Sequence, residues 1–547
     1  MTLFHRNILF LNVFLLVFLL AVTNPTYAQE SVLKLLKNEQ QIADTYFEQK
    51  NYHSALEKYL SVIGGKSGSH EVNTKIARCY FFLHEYGNAA MYYSKAIENN
   101  NKLVPDDLLR YAEVLVSTGA YQEAILTYRD YLSVNKNDES ILKKIWRLQN
   151  INFLYEDSLY YTLKKLPINS PNGDLAPVPY KKGLVFVSNR ESVSVVKKVD
   201  AKVNAPFYRL YFTQVKGGYD HISDSTFTEP VLFDKAFHSN YHLGPVAFFL
   251  NQNKMVFTRS SHESGNNGIS TLQLYFASNS GIGWRKIMPF PFNSQNFSNT
   301  DPTINEAGTL LIFSSDRPGG FGGKDLYKSE FIDGSWTDPV NLGENINTAG
   351  DEVFPYLHEE RTLYFSTDGH PGLGGLDIFK AEIINSNIEN PANIGYPLNS
   401  GYDDFGIFID STGTRGYLSS NRTFGGYNDD IYMFEMDLQP YPLTVNGIIK
   451  YIEHNWMDSS ELKTMGNVKL FLIDDFKDEV VAESTSDKSG NFMMTVPYYS
   501  KYKIQVVGEN IEGIVSFEVP KHQKSNDKYD IVVVNDDFDT TSNENRE

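Results

Sequence analysis

Apolar residues recur in short alternating bursts through the middle of the chain, and each burst ends in a polar tip. The bursts are Val185-Phe186-Val187-Ser188-Asn189-Arg190, Met255-Val256-Phe257-Thr258-Arg259, Leu311-Ile312-Phe313-Ser314-Ser315-Asp316-Arg317, Leu363-Tyr364-Phe365-Ser366-Thr367-Asp368 and Gly416-Tyr417-Leu418-Ser419-Ser420-Asn421-Arg422. Period-two patterning of this length predicts half-buried strands. A second strand follows each burst, and its aromatic residue steps by 52, 52 and 53 from Tyr275 through Tyr327 and Phe379 to Tyr432. The first step, Tyr211 to Tyr275, is 64, so the early units carry insertions. An Asp/Pro turn with a short strand precedes each burst, as at Asp301-Pro302, and a Trp- or Pro-bearing strand ends each unit, as at Trp284 and Trp336.

Four strands per unit, repeated, predict a β-propeller over residues 153–440. Residues 160–174 match residues 336–351, so the chain enters with the outer strand of a blade whose other three strands lie at the far end. Joining both ends in one blade removes exposed sheet edges. The predicted count is five blades, with six as the alternative.

A different period organises residues 29–152. Ala43, Tyr46, Ala55 and Tyr59 recur 34 residues later as Ala77, Tyr80, Ala89 and Tyr93, and again one residue late as Ala112, Leu115, Ala124 and Tyr128. Helix pairs of this spacing resemble the tetratricopeptide repeat, an α-solenoid. The resemblance implies a concave groove, formed by the first helix of each repeat, that would carry Gln40, Asp44, Phe47, Thr74, Arg78, Phe81, Glu113 and Val116. A protein partner is the expected occupant.

Six alternating segments between residues 441 and 535 predict a small β-sandwich. The turn Ser486-Asp487-Lys488-Ser489-Gly490-Asn491-Phe492 resembles that of the carboxypeptidase regulatory-like domain. Residues 536–547 read as a disordered acidic tail. The Ser-Ser-Asp-Arg-Pro-Gly-Gly string at 314–320 is similar to the TolB-like propeller repeat. Taken in order, the three segments resemble envelope proteins of the OmpA-family type, without the C-terminal OmpA-like domain. That resemblance implies a non-enzymatic scaffold of the periplasm, peripheral to the outer membrane. Its partners would be outer-membrane or secretion-machinery components, with a type IX secretion or gliding role. A glycan- or peptide-binding sensor using the propeller face is the alternative, and a hydrolase acting in the propeller channel a third.

Composition narrows the picture only slightly. The 547 residues carry a net charge of −18, which disfavours a nucleic-acid partner. One cysteine, Cys79, excludes an internal disulfide framework. An apolar run from Ile8 to Val22, then Thr26-Tyr27-Ala28, reads as a signal peptide over residues 1–28, and nothing after it spans a membrane. Strand parity puts Asp174, Asn189, Arg190, Asp301, Asp316, Arg317, Asp351, Asp368, Asn421 and Arg422 on one propeller face, together with an insertion at 191–208. Two roles are open to these side chains: binding a ligand, or hydrogen-bonding the turns of each blade. No catalytic motif, cofactor fingerprint or metal-ligand spacing is found.

Overall fold

In the computed structural model, the described residues run from 38 to 535, apart from 67, 99–100, 191–198, 201–204, 217–226, 238–240, 265–269, 385–386, 412, 424, 437–442, 455–459, 476–478, 498–500, 509–510 and 519–531. The expected signal peptide, the acidic tail and most of the 191–208 insertion lie outside them. The chain forms two compact units, and the first holds both the helices and nearly all of the propeller.

Seven helices open the first unit: α1 (Glu39–Glu48), α2 (Tyr52–Ile63), α3 (His70–Phe82), α4 (Tyr86–Ile97), α5 (Pro105–Ser117), α6 (Tyr121–Val134) and α7 (Glu139–Gln149). Local chemistry sets their ends. Asn38 and Gln41 form a reciprocal capping box on α1, Ser69 caps α3, and Asp138 caps α7. The repeating alanines are 0% exposed at 43, 55, 77, 89, 112 and 124, so helices approach closely there, and Tyr59, Tyr93 and Tyr128 fill the space between pairs. Cys79 packs among them as a buried apolar residue, its thiol pushed up to about 12 by burial.

The expected fold class needs correction. Strand makes up 41% of the structure and helix only 24%, so the protein is mainly β. A solenoid is a stack in which each repeat touches only its neighbours. These few helices, none longer than 14 residues, are instead built onto propeller loops within the same compact unit.

The propeller has five blades, each a small antiparallel sheet. Their three inner strands are, for blade 1, Asp174–Tyr180, Gly183–Ser188 and Arg209–Gln214; for blade 2, Leu243–Phe249, Lys254–Ser264 and Ser270–Asn279. Blade 3 has Asn299–Ile304, Leu310–Ser315 and Asp325–Ile332; blade 4 has Glu352–His358, Thr362–Thr367 and Asp377–Ile384. Blade 5 has Asp404–Ile409, Arg415–Ser420 and Asp430–Met436, and takes Tyr161–Lys165 as its outer strand. That closure continues beyond the strand: Leu166 N donates to Ile431 O (2.9 Å), and Lys165 Nζ reaches Asp430 Oδ2 (2.6 Å).

An asparagine, half-buried at 169 and 293 and buried at 347 and 399, repeats the same bond pair in four blades. Asn169, Asn293, Asn347 and Asn399 each accept from and donate to one backbone residue of the third strand: Ile431, Leu274, Leu326 and Ile378 respectively. The amide extends the sheet where the main chain has turned away, satisfying groups that burial would otherwise leave unpaired. Backbone N–H groups also tie neighbouring blades. Ala176 N donates to Ser419 Oγ (2.8 Å), Asp301 N to Thr258 Oγ1 (3.1 Å) and Leu357 N to Thr303 Oγ1 (3.1 Å).

The second unit contains two four-stranded sheets. One joins Ser460–Thr464, Leu443–His454 and Asn491–Val496, with Val532–Asn535 parallel to the long strand; the other runs Glu479–Thr485, Lys469–Asp474, Lys501–Gly508, Ile511–Glu518. Leu443, Val445, Leu470, Leu472, Phe492 and Ile504 share one buried core. In the 486–492 turn, Asp487 Oδ1 accepts from Ser489 N (2.8 Å) and Asn491 N (2.9 Å).

Candidate functional site

The innermost strand of every blade is a sheet edge, because no further strand covers it. Four of the five carry a proline there: Pro177, Pro245, Pro302 and Pro355. Proline has no N–H to donate, so an edge is where a sheet tolerates it. What the sequence presents as an Asp/Pro turn is therefore a strand with a bulge. The ladder register shifts at this point in blades 1 to 4. The residue before the proline turns left-handed at Ala176 (φ 49°), Asp301 (φ 52°) and Phe354 (φ 49°). These bulges open a central channel of about 470 Å³.

Apolar side chains gather beside the inner end of the channel. Leu175, Leu243 and Phe405, from blades 1, 2 and 5, meet in a single apolar cluster with Phe354 of blade 4 packed against it, the Phe354 and Phe405 rings lying 4.6 Å apart. The open end is framed by the turns between first and second strands, including Gln252, Glu306, Glu359 and Glu360. Those turns interlock: Asn251 N donates to Glu306 Oε1 (2.5 Å), and Lys181 N to Gln252 Oε1 (2.7 Å). Tyr356 and Phe408 form an aromatic step on the wall, with ring centroids 5.4 Å apart. Asp301 lines the inner end at 7% exposure. Burial holds its carboxyl above the usual range, while Lys324 and the Thr300 hydroxyl act the other way.

The polar tips assigned to the opposite face are mostly occupied in holding blades together. Asp316 Oδ1 accepts from Ser298 N (2.5 Å), Asp368 Oδ1 from Asp351 N (2.7 Å) and Asn421 Oδ1 from Asp403 N (2.9 Å). Asp351 Oδ1 also accepts from Lys324 N (2.7 Å), and Asn189 N donates to Gly173 O (3.2 Å). Arg190 reaches back to Asp174 Oδ1 (2.6 Å) and Ile168 O (2.9 Å) while its guanidinium lies 4.9 Å from the Tyr211 ring. Arg422 repeats this with Asp404, Leu398 O and the Tyr432 ring, and Arg317 with the neutral Asn299 and the Tyr327 ring. Blade 4 has Gly369 at this position, so its buried Glu352 relies on Thr348 and Thr367 and is pushed up to about 7 by burial. Of the ten side chains that strand parity puts on that face, Asp301 is the one that lines the channel.

The groove residues also have partners within the chain. Asp44 accepts from Tyr59 Oη (2.5 Å) and Lys75 Nζ (2.8 Å), and Arg78 forks onto Asp107 (2.7 and 2.6 Å). Phe47 packs edge-on against Tyr52, Thr74 bonds back to His70 O, and Gln40 stays half-buried on α1. Phe81, Glu113 and Val116 line a small cavity of about 60 Å³ whose other wall is the propeller loop at Asp368, His370 and Gly372. Further contacts fix this docking. Tyr86 Oη donates to Asp403 Oδ1 (2.7 Å), His84 Nδ1 lies 2.7 Å from Asp403 Oδ2, and Tyr427 Oη donates to Phe82 O (3.0 Å). Beside them, Lys144 Nζ donates to Asp368 O (3.2 Å) and Gly426 N to His84 O (3.0 Å).

Fold and site together define a β-propeller with a central channel. No protein-family model matches the chain, and no curated protein sequence matches it. Some solved structures show a weak likeness. A glycoside hydrolase, titled putative, from Parabacteroides distasonis is 11% identical over 51% of this chain and 92% of its own, with a TM-score of 0.32. An exo-β-1,3-galactanase from Clostridium thermocellum is 12% identical over 66% and 82%, TM-score 0.32. A protein of unknown function from Dyadobacter fermentans is 11% identical over 51% and 99%, TM-score 0.31. Similarity of this degree assigns no activity. The expectation of a non-enzymatic chain is withdrawn, since glycoside hydrolases stand among these structures by title. Among the described residues, no helix is long and apolar enough to cross a membrane, and no group of three or more acidic, histidine or cysteine side chains is placed to hold a metal ion.

Proposed function

We propose that this is a glycan-binding β-propeller protein and that its ligand lies in the central channel. The observation carrying this reading is the roughly 470 Å³ channel with an aromatic step and a polar mouth. A volume of that order suits a small ligand. The C–H face of a sugar ring packs on aromatic rings such as Tyr356 and Phe408, while its hydroxyls bond to groups such as Thr303 and Gln252. The leader-like residues 1–28 support an exported setting, where envelope polysaccharide is within reach. Calorimetric titration with a panel of short oligosaccharides tests the idea. Tyr356→Ala is expected to weaken binding at least tenfold while the circular-dichroism spectrum stays that of the folded chain; no saturable binding by any member of the panel would sink it.

Asp301 favours a second reading, hydrolysis of the bound glycan. A buried carboxyl whose hold on its proton is strengthened by burial is the kind of group that donates a proton to a leaving oxygen. Release of reducing ends by the intact chain, abolished in Asp301→Asn, is the expected result. Equal release by that variant rules Asp301 out as the acid.

A further inference from the structure

The lining of the channel is uneven in charge. Three carboxylates frame its mouth, Glu306, Glu359 and Glu360, and the Asp301 carboxyl lies at the inner end under the influence of Lys324. Among the described residues no lysine, arginine or histidine lines it, although the chain as a whole carries 49 basic residues against 67 acidic ones. The cations nearest in sequence are turned to other work or lie outside the lining. Lys181 sits over the Tyr180 ring (5.0 Å), and Arg361 follows the mouth turn without lining the channel. A neutral sugar would leave these carboxylates without a counter-charge as it displaced their water. A ligand carrying an ammonium would supply that charge and could also place it against the faces of Tyr356 and Phe408.

Resting on the channel reading above, we infer that the glycan taken by the channel is cationic: an amino sugar whose amines are free, not acetylated. The ring packs on the Tyr356–Phe408 step, and the ammonium groups are held by the carboxylates at the mouth. Glu359 and Glu360 are exposed, so the mouth contribution is sensitive to ionic strength.

A matched pair of probes tests this with the full chain. The glucosamine disaccharide is titrated against its di-N-acetylated counterpart, equal in ring number and neutral. At low salt the charged sugar is expected to bind at least tenfold more tightly. The advantage is expected to fall below threefold in the Glu359→Gln/Glu360→Gln variant, whose exposed positions leave folding intact. Equal affinity for the two sugars overturns the charge inference and leaves the glycan reading standing. Binding of a Gly-Lys-Gly tripeptide with neither sugar bound overturns both, and makes the occupant a peptide. An undiminished advantage in the double variant overturns the role given to the mouth.

Discussion

Replacing Arg190 by alanine is expected to destabilise the propeller by about 3–5 kcal/mol, the usual cost of stranding one half of a buried ion pair. Its partner Asp174 is 0% exposed and would keep only the Ser170 N–H as a close donor, at 2.5 Å. The guanidinium also fills space over Phe186 and Tyr211, so packing is lost together with charge. Arg317→Ala provides the contrast. Its opposite number is the neutral amide of Asn299, so removal strands no charge and costs about 1–2 kcal/mol, the scale of an ordinary buried hydrogen bond. Urea melts of the two variants separate these outcomes. Equal losses would show that the arginines act by packing alone.

The docking of helices on propeller loops is expected to weaken as pH rises from 5 to 8. Burial opposes a charge on His84, yet the Asp403 carboxylate beside it wins and raises the imidazole above its ordinary value. Stability from a raised histidine is complete below the free value, near 6.5, and lost as pH climbs through the docked one. Asp368 and Asp429 are pushed up to about 7, first by burial and then by neighbouring Asp351 and Asp403 respectively. A carboxyl raised in this way penalises the docked state progressively from pH 4 to 7, the same direction as His84. Asp403 is held low by His84 and Tyr86 against its burial, so its contribution disappears only in strong acid. Lys144 and Glu113 from the helices, and Asp430 and Asp174 from the propeller, complete the charges facing this cluster. Each group contributes about 1.4 kcal/mol per pH unit between its docked and free values. Hydrogen exchange at Gly375, Gly426 and Tyr427 should quicken between pH 5 and 8 beyond the intrinsic rate. Asp368→Asn/Asp429→Asn should flatten the trend; a flat trend in the unaltered chain would refute it.

The blades could be found in the sequence because each repeats one chemical pattern: an apolar burst, a polar tip, a glycine loop and a second aromatic strand. Closure was legible for the same reason, since Asn169 stands where Asn347 does and makes the same two bonds. The binding side was not. Polar tips recurring with the repeat draw attention, yet recurrence is what a side chain that stabilises every blade also shows. The channel was announced by a quieter signal, a proline at one place in four inner strands, which identifies an uncovered edge. The helical segment misled in another way. Its 34-residue period reports how helices pair, whereas the partner of its inner side is decided by residues such as Asp403, more than 300 positions away.

The Asp430–Lys165 clasp joins positions 265 residues apart. During synthesis, the strand from Tyr161 therefore emerges long before anything exists to pair with it. Until the last blade is made, both ends of the unfinished sheet array present bare hydrogen-bonding edges, and the ring latches only at the end. Loops so long close slowly. A fragment ending before residue 430 lacks the latch altogether, and its natural fate is to pair edge to edge with another copy of itself.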